Sequence, residues 1–152
     1  MFNAIVVGTD GSESAGVAVH KAATLAGLTG GTLHVVCAYR PVSIGNVAMA
    51  ASAGAATLDV DSVNRSVITE AELIADHAAS EARRGGVKVE VHAIPGEAAD
   101  VLVGVAKEIG ADLLVVGNRG MSGKRRFVLG SVPNKVSHHA PCALLIVDTV
   151  DQ

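Results

Sequence analysis

The stretch VVGNRGMSGKRRFVLGSV, residues 115–132, joins a run of β-branched residues to a loop that contains four glycines. Val115 and Val116 lead directly into Gly117, and a helical pattern begins near Ser131, which could cap that helix or donate to an anion. Glycine lets backbone N–H groups approach a ligand closely, and a helix N-terminus adds unpaired donors and the positive end of a dipole. The stretch therefore predicts a strand, an anion-binding loop and a helix, with a solvated basic turn as the alternative. Four of the twelve basic residues lie in this loop: Arg119, Lys124, Arg125 and Arg126.

The composition is that of one globular domain. The chain has 152 residues, of which 49% are hydrophobic and 18% are charged, enough to bury a sizeable core. Val, Ala, Leu and Ile must supply that core, because there are two Phe, one Tyr and no Trp. The few aromatic residues and the net charge of −3 argue against a nucleic-acid binder or a protein of anionic membranes.

The N-terminus and the cysteines indicate the cytoplasm. Residues 1–12, MFNAIVVGTDGS, carry no basic region and meet Asp10 early, and no apolar run reaches the length of a membrane span, so we expect neither a signal peptide nor a membrane anchor. Cys37 and Cys142 lie far apart and outside any metal-ligand spacing. We interpret both as reduced core residues.

Five short apolar runs are predicted as strands. The runs 2–8, 31–39, 112–117 and 142–148 are nearly continuous in hydrophobic residues, which is typical of strands covered on both faces of a parallel sheet. In 87–93, valine alternates with Lys88, Glu90 and His92. That alternation predicts an edge strand with one face in water.

Helical patterns separate these runs at 12–28, 59–85, 97–109 and Ser131–His139. Ser12 is a candidate cap of the first helix, and Pro141 stops the last one. The alternation predicts an α/β fold, a Rossmann-like open five-stranded parallel sheet with helices on both faces. The segment 41–58 has no charged residue and no clear period, and either a mobile flap or disorder would explain it. The apolar stripe predicted within 59–85 is Val63, Val67, Ala71, Ile74, Ala78 and Ala82.

Ligands of open parallel sheets bind at the carboxyl ends of the strands. The glycine loop does not match the Walker phosphate-binding motif, because Gly123-Lys124 is followed by arginine. The end of the first strand, VGTDGS, does not match the dinucleotide-binding motif, because it supplies only two glycines. The pattern that does fit is Gly117-x2-Gly120-x9-Gly130-Ser131.

This pattern resembles the ATP-binding branch of the universal stress protein family. The resemblance spans the chain through IVVGTDGS (5–12), ADLLVVGNRG (111–120) and LGSVPNKVSHHAPCALLIV (129–147). It implies one domain over 1–152, strand order 3-2-1-4-5, bound ATP accompanied by Mg²⁺, and a homodimer through strand 5, residues 142–148.

The resemblance also implies roles for individual residues. Asp10 would bind the ribose hydroxyls, with an Asx turn as the alternative, and backbone groups of Cys37 and Ala38 would meet the adenine edge unless they are plain strand interior. Val116 would pack against the nucleoside. The phosphate cradle would comprise Gly117, Asn118, Gly120, Gly130 and Ser131, and the binding set is completed by Gly8, Thr9, Pro95, Arg119 and Val132.

A binding and regulatory function is favoured over catalysis. The glycine loop contains no Asp, Glu or His that could serve as a general base, so we predict no catalytic residue. A slow ATPase, a nucleotidyl-type transferase, a cyclic-nucleotide binder and a dimeric module without nucleotide remain as alternatives.

The histidines are interpreted as structural. His138 and His139 suit the end of a helix as cations, and His34 suits a satisfied core or interface position. The remaining His20, His77 and His92 have no partner at a metal-ligand spacing. We therefore predict no metal site formed by the protein.

Overall fold

The computed structural model describes residues 1–43, 45, 59–118 and 129–149. Strands and helices alternate in these ranges, and each lies within two residues of its predicted bounds. Most of the segment 41–58 lies outside the described residues. Among the described helices, none has the combined length and hydropathy needed to cross a membrane. The elements are β1 (Ala4–Gly8), α1 (Glu13–Thr29), β2 (Thr32–Tyr39), α2 (Val60–Arg84), β3 (Lys88–Pro95), α3 (Ala98–Glu108), β4 (Leu113–Gly117), α4 (Ser131–His139) and β5 (Ala143–Val147).

The five strands form one parallel sheet in the order β3-β2-β1-β4-β5. This order confirms the predicted α/β fold and places β3 and β5 at the two edges. The chain runs outward from β1 to β2 and β3, and then returns to β4 on the other side of β1. A topological switch point therefore lies between the carboxyl ends of β1 and β4, which is where open α/β sheets bind ligands.

Helices cover both faces of the sheet. The α1/α2 layer packs on one face and the α3/α4 layer on the other. Strand β1 contributes to both cores, because Ile5 and Val7 face the first layer and Val6 faces the second. This two-sided burial explains the continuous hydrophobic runs of the central strands.

The apolar stripe of α2 is rotated from the predicted one. Ala71 and Ala82 are buried as expected, but Ile74 and Ala78 are only partly covered, and Ala75 and Ala79 are fully buried instead. Small side chains at steps of four let the helix approach the sheet closely, so that larger residues remain on its flanks. Alanine carries little hydropathy signal, so the sequence pattern followed Ile74 and missed Ala75 and Ala79.

Polar contacts fix the entry of β1 and the start of α1. The Asp112 carboxylate accepts hydrogen bonds from Asn3 N at 2.7 Å and Ala4 N at 3.0 Å. These two hydrogen bonds lower the pKa of Asp112, and the one from Ala4 has the larger effect. Ser12 is the N-cap of α1, as predicted, and its Oγ accepts from Ala15 N at 3.2 Å.

Candidate functional site

The loop after β1 folds over the end of β2. Thr9 N donates to Val36 O at 2.9 Å, and the Thr9 side chain is buried. Its Oγ1 accepts from Gly11 N at 3.2 Å. Gly11 has φ +78°, a conformation that glycine adopts without strain. The loop that carries Asp10 is therefore held at the switch point by backbone contacts.

Asp10 forms the Asx turn that the sequence left as an alternative. Its Oδ1 accepts from Ser12 N at 3.0 Å and from Ser12 Oγ at 2.5 Å. Among the described residues Oδ2 has no hydrogen-bond partner, and the side chain is exposed. The turn orients the carboxylate and leaves one oxygen for a ligand, so the ribose role stays a prediction.

The Cys37 side chain belongs to the core. It is 3% exposed and packs in the α1/α2 layer, and both cysteines are free thiols, Cys142 being half-buried. Burial raises the pKa of the Cys37 thiol, and the nearby carboxylates of Asp10 and Glu70 raise it further. Cys37 can therefore offer a ligand only its backbone. We expect the same of Ala38, its half-buried neighbour.

The rim beyond β2 is closed by contacts between neighbouring strand ends. Pro95 lies opposite Tyr39 and is exposed, and Gly96 N donates to Tyr39 O at 2.8 Å. Next to them, Arg40 and Glu97 form an exposed ion pair at 2.5 Å. Pro95 therefore borders the crevice from the β3 side without a polar side chain to offer.

Asn118 joins the end of β4 to the end of β5. Its backbone N donates to Val147 O at 2.8 Å, and its Nδ2 donates to Asp148 Oδ1 at 2.7 Å. Its Oδ1 accepts from Thr149 N at 3.1 Å and Thr149 Oγ1 at 2.8 Å. The side chain is thus committed to protein contacts. Asn118 O also accepts from Gly130 N at 3.0 Å, which brings the two ends of the glycine loop together.

Helix α4 begins at that closure. Gly130 is its N-cap, with φ −59°, and Ser131 is the first helical residue; the interpretation of Ser131 as the cap is therefore wrong. Gly130 has no side chain to accept from the amides of Ser131 and Val132, and Pro133 has no N–H. The Val132 side chain packs against the α3/α4 core. Within the described ranges no side chain caps the first turn of α4, which presents its amides and the positive end of the helix dipole beside β4.

Two glycines of the predicted set differ in what the fold requires. A Cβ on Gly8 would lie 2.9 Å from Leu102 Cδ1, so the buried Leu102 side chain would have to shift to admit it. A Cβ on Gly130 would lie 3.4 Å from Asn118 O and 3.5 Å from Pro133 Cδ, which are ordinary contacts. Neither the φ of Gly130 nor its contacts with the described residues demand glycine. Close approach of a ligand to the backbone would demand it.

The remaining predicted residues divide between the core and the residues outside the described ranges. Val116 is buried in the α3/α4 core, so its side chain packs against protein atoms and only its backbone is open to a nucleoside. Gly117 ends β4 at the crevice. Arg119 and Gly120, like the basic residues 124–126, lie outside the described residues, and their roles stay predictions.

A second concave feature lies between α1 and α2. It is a groove of about 860 Å³ that runs from Thr9 past His20 and His77 to Val87. Its lining includes Thr9 but neither Asn118 nor Gly130. This groove is therefore separate from the start of α4, and the hydropathy pattern could not reveal it because it depends on how closely two helices pack.

The sheet also assembles a polar cluster that the sequence analysis missed. His34 Nδ1 lies 3.1 Å from His92 Nε2 and 3.6 Å from Glu90 Oε2. The two rings stack with centroids 5.4 Å apart. Burial lowers the pKa of His34, the charge of Glu90 raises it, and His92 and Lys88 lower it. His92 has no partner at a metal-ligand spacing in the sequence, but the strand register, which that spacing does not reveal, brings it beside His34.

Comparison with known proteins identifies relatives over the full fold. The sequence profile of the universal stress protein family matches residues 1–148. Universal stress protein YxiE of Bacillus subtilis is 33% identical over 147 residues, covering 97% of this chain and 99% of that protein. Universal stress protein Rv1636 of Mycobacterium tuberculosis is 38% identical over 150 residues, covering 97% of each.

A solved structure adds a ligand. It is a universal stress protein in complex with cAMP, 34% identical to this chain, with a TM-score of 0.68 and coverage of 97% of this chain and 98% of that one. The likeness therefore extends over all the elements described above.

Proposed function

This chain belongs to the universal stress protein family, and on that premise we propose that it is an adenine-nucleotide-binding regulatory protein with ATP as its ligand. The observation that carries the proposal is the start of α4. There no contact with the described residues requires the glycine at position 130, and it stands at a helix N-terminus beside the switch point of the sheet. That combination suits an anion held by backbone donors.

The described residues suggest how the nucleotide lies. Asp10 has a carboxylate oxygen left over for the ribose hydroxyls, and the backbone at Cys37 and Ala38 borders the place for adenine. The phosphates extend toward Gly130 and Ser131, where the helix dipole favours negative charge. Mg²⁺, when it accompanies ATP, is held mainly by phosphate oxygens and water.

We further propose that the protein binds ATP without rapid turnover and works in the cytoplasm. Hydrolysis needs a residue that orients or deprotonates water near the terminal phosphate. Asp10 lies at the ribose end, and Asp148 accepts a hydrogen bond from Asn118. A phosphate-release assay tests this proposal, and turnover of about once per second or faster, the low end of ordinary enzymes, would contradict it.

A cyclic nucleotide is the second candidate ligand, because a relative that is 34% identical was solved with cAMP. The two ligands differ at the ribose, since the 3′ oxygen of cAMP is esterified and only the 2′ hydroxyl can donate to Asp10. Asp10→Asn should therefore weaken ATP more than cAMP. Equal losses for both ligands would place Asp10 away from the 3′ hydroxyl.

The homodimer through β5 is part of the proposal. β5 lies at a sheet edge, and Leu144, Leu145 and Ile146 are only half-buried in the single chain. An open apolar edge without lysine or proline invites pairing. Pairing of two β5 strands about a two-fold axis would satisfy their free backbone groups.

One experiment tests the ligand directly. The protein is purified without added nucleotide and denatured, and the released small molecules are identified by mass; calorimetric titration with ATP and with cAMP follows. We expect ATP to be released and to bind with the higher affinity. Tighter binding of cAMP would favour the second candidate, and failure to bind either would overturn the proposal.

A further inference from the structure

A buried histidine pairs with two polar side chains of the neighbouring strand. The β2–β3 register places His34 opposite Glu90, and His92 two residues further along β3 on the same face. His34 is 7% exposed, His92 is half-buried and Glu90 is open to water. The cluster thus runs from the core to the surface, and one side remains open to solvent.

The geometry points to a binding site for a divalent transition-metal ion formed by His34, Glu90 and His92, and we propose Zn²⁺ as the ion that its donors fit. Their ligand atoms all lie within 4.8 Å of one another. Two ligands that are each about 2.1 Å from a tetrahedral ion are about 3.4 Å apart. The observed separations of 3.1 Å between the ring nitrogens and 3.6 Å from His34 Nδ1 to Glu90 Oε2 lie on either side of that value.

The donor chemistry selects the ion. Two imidazoles and one carboxylate make up the protein ligands of open zinc sites, in which water takes the fourth position. Imidazole nitrogen favours Zn²⁺ over Mg²⁺ and Ca²⁺. Without metal, the facing ring nitrogens of His34 and His92 share one proton in a hydrogen bond. Metal binding replaces that proton.

The surrounding charges act in opposite directions on a cation. His34 is 7% exposed, so a cation bound to it would lie where water screens these charges only partly. Glu90 attracts a cation, whereas Lys88, which faces His34 from the same strand as Glu90, repels it. Removal of the Lys88 charge should therefore tighten metal binding, a result that a merely structural histidine pair would not give.

The site is distinct from the proposed nucleotide site. His34 precedes Cys37 by three residues on β2, which is about 10 Å along a strand. The bound ion would join the edge strand β3 to β2 and stabilise that edge. Mg²⁺-ATP and Zn²⁺ should then bind independently.

The test is calorimetric titration of the metal-free full chain with Zn²⁺, with Co²⁺ absorption as a probe of coordination. We expect one ion per chain and a tetrahedral Co²⁺ spectrum. Loss of a residue that only orients a ligand costs 10–100-fold in affinity, so His92→Ala and Glu90→Gln should each cost at least about tenfold. Lys88→Gln should tighten binding.

His138→Ala is the matched control, because it removes an exposed histidine at the end of α4 and should leave Zn²⁺ affinity unchanged. Glu90→Gln keeps the shape of an exposed side chain, so it remains informative if His92→Ala fails to fold. Absence of Zn²⁺ binding, or equal affinity in wild type and Glu90→Gln, would overturn the proposal. ATP affinity measured on the same variants should not change.

Discussion

Gly130→Ala separates the demands of the ligand from those of the fold. The new Cβ would stand 3.4 Å from Asn118 O and 3.5 Å from Pro133 Cδ, and the backbone φ of −59° suits alanine. The apo protein should therefore accept the substitution. A phosphate that approaches the amides at the start of α4 should not.

The stability change is the sum of two small effects. Alanine is a poorer N-cap than glycine by about 0.5–1 kcal/mol. Alanine also restricts the unfolded chain, which stabilises the fold by about 0.4–1 kcal/mol. The net change should lie within about 1 kcal/mol, which corresponds to a shift in Tm of no more than about 4 °C for a chain of this length.

The binding change should be much larger. The added methyl group displaces a phosphate oxygen from at least one backbone donor, and a hydrogen bond to a charged group contributes about 1.5–3 kcal/mol. The Kd for ATP should rise roughly 10- to 150-fold. Thermal unfolding without nucleotide and calorimetric titration with ATP give the two numbers on one sample.

Gly104→Ala is the control. Gly104 lies within α3 and is exposed, and outside its own helix no heavy atom lies within 4 Å of the position that a Cβ would take. Alanine there should stabilise the helix by up to about 1 kcal/mol and leave ATP binding unchanged. A folded Gly130→Ala variant that binds ATP as well as wild type would refute the placement of the phosphates. A variant that unfolds would show that the fold itself needs this glycine.

Three further predictions follow from the contacts of single residues. Because the folded pKa of His34 lies below its usual value, the unfolded state binds more protons near pH 6, and the free energy of unfolding should fall as the pH is lowered from about 7.5 to about 5.5. Urea denaturation of the wild type should show this slope, and His34→Gln should flatten it. Asn118 N donates to Val147 O, so the backbone groups of Leu145 face β4 and those of Leu144 face the open edge. Light scattering should therefore show that Leu144→Pro splits the dimer, whereas Leu145→Pro should mainly lower Tm. A monomeric wild type would contradict the dimer. Asn118→Ala removes hydrogen bonds to two residues beyond β5, so it should lower the free energy of unfolding by about 1–3 kcal/mol and weaken ATP binding. Unchanged ATP affinity would mean that binding does not depend on these hydrogen bonds.

The fold was predictable because its signals are local. Continuous hydrophobic runs indicated strands with two covered faces, and the alternation in residues 87–93 indicated the edge strand β3. The start of α1 followed from Ser12, whose hydroxyl does cap the helix. Each of these signals depends on neighbours within a few residues, so one sequence is enough to detect it.

Contacts across the sheet were not predictable in the same way. His34 and His92 are 58 positions apart, and they meet only because β3 lies beside β2 in one particular register. A shift of one residue in that register would turn His92 to the other face. The alternation of polar residues in β3 opposite a lone histidine in β2 was the available signal, and its meaning depended on the strand order.

The glycines show where sequence pattern and structure contribute different information. Gly8 and Gly130 both belong to the set that predicted the site, and nothing in the sequence ranks one above the other. In the structure, a side chain on Gly8 would meet Leu102, so a substitution there would force Leu102 to shift with or without a ligand. A side chain on Gly130 would meet no such clash with the described residues. Gly130 is therefore the position at which a change in nucleotide affinity can be attributed to the ligand contact itself, whereas a substitution at Gly8 would disturb β1 and α3 as well.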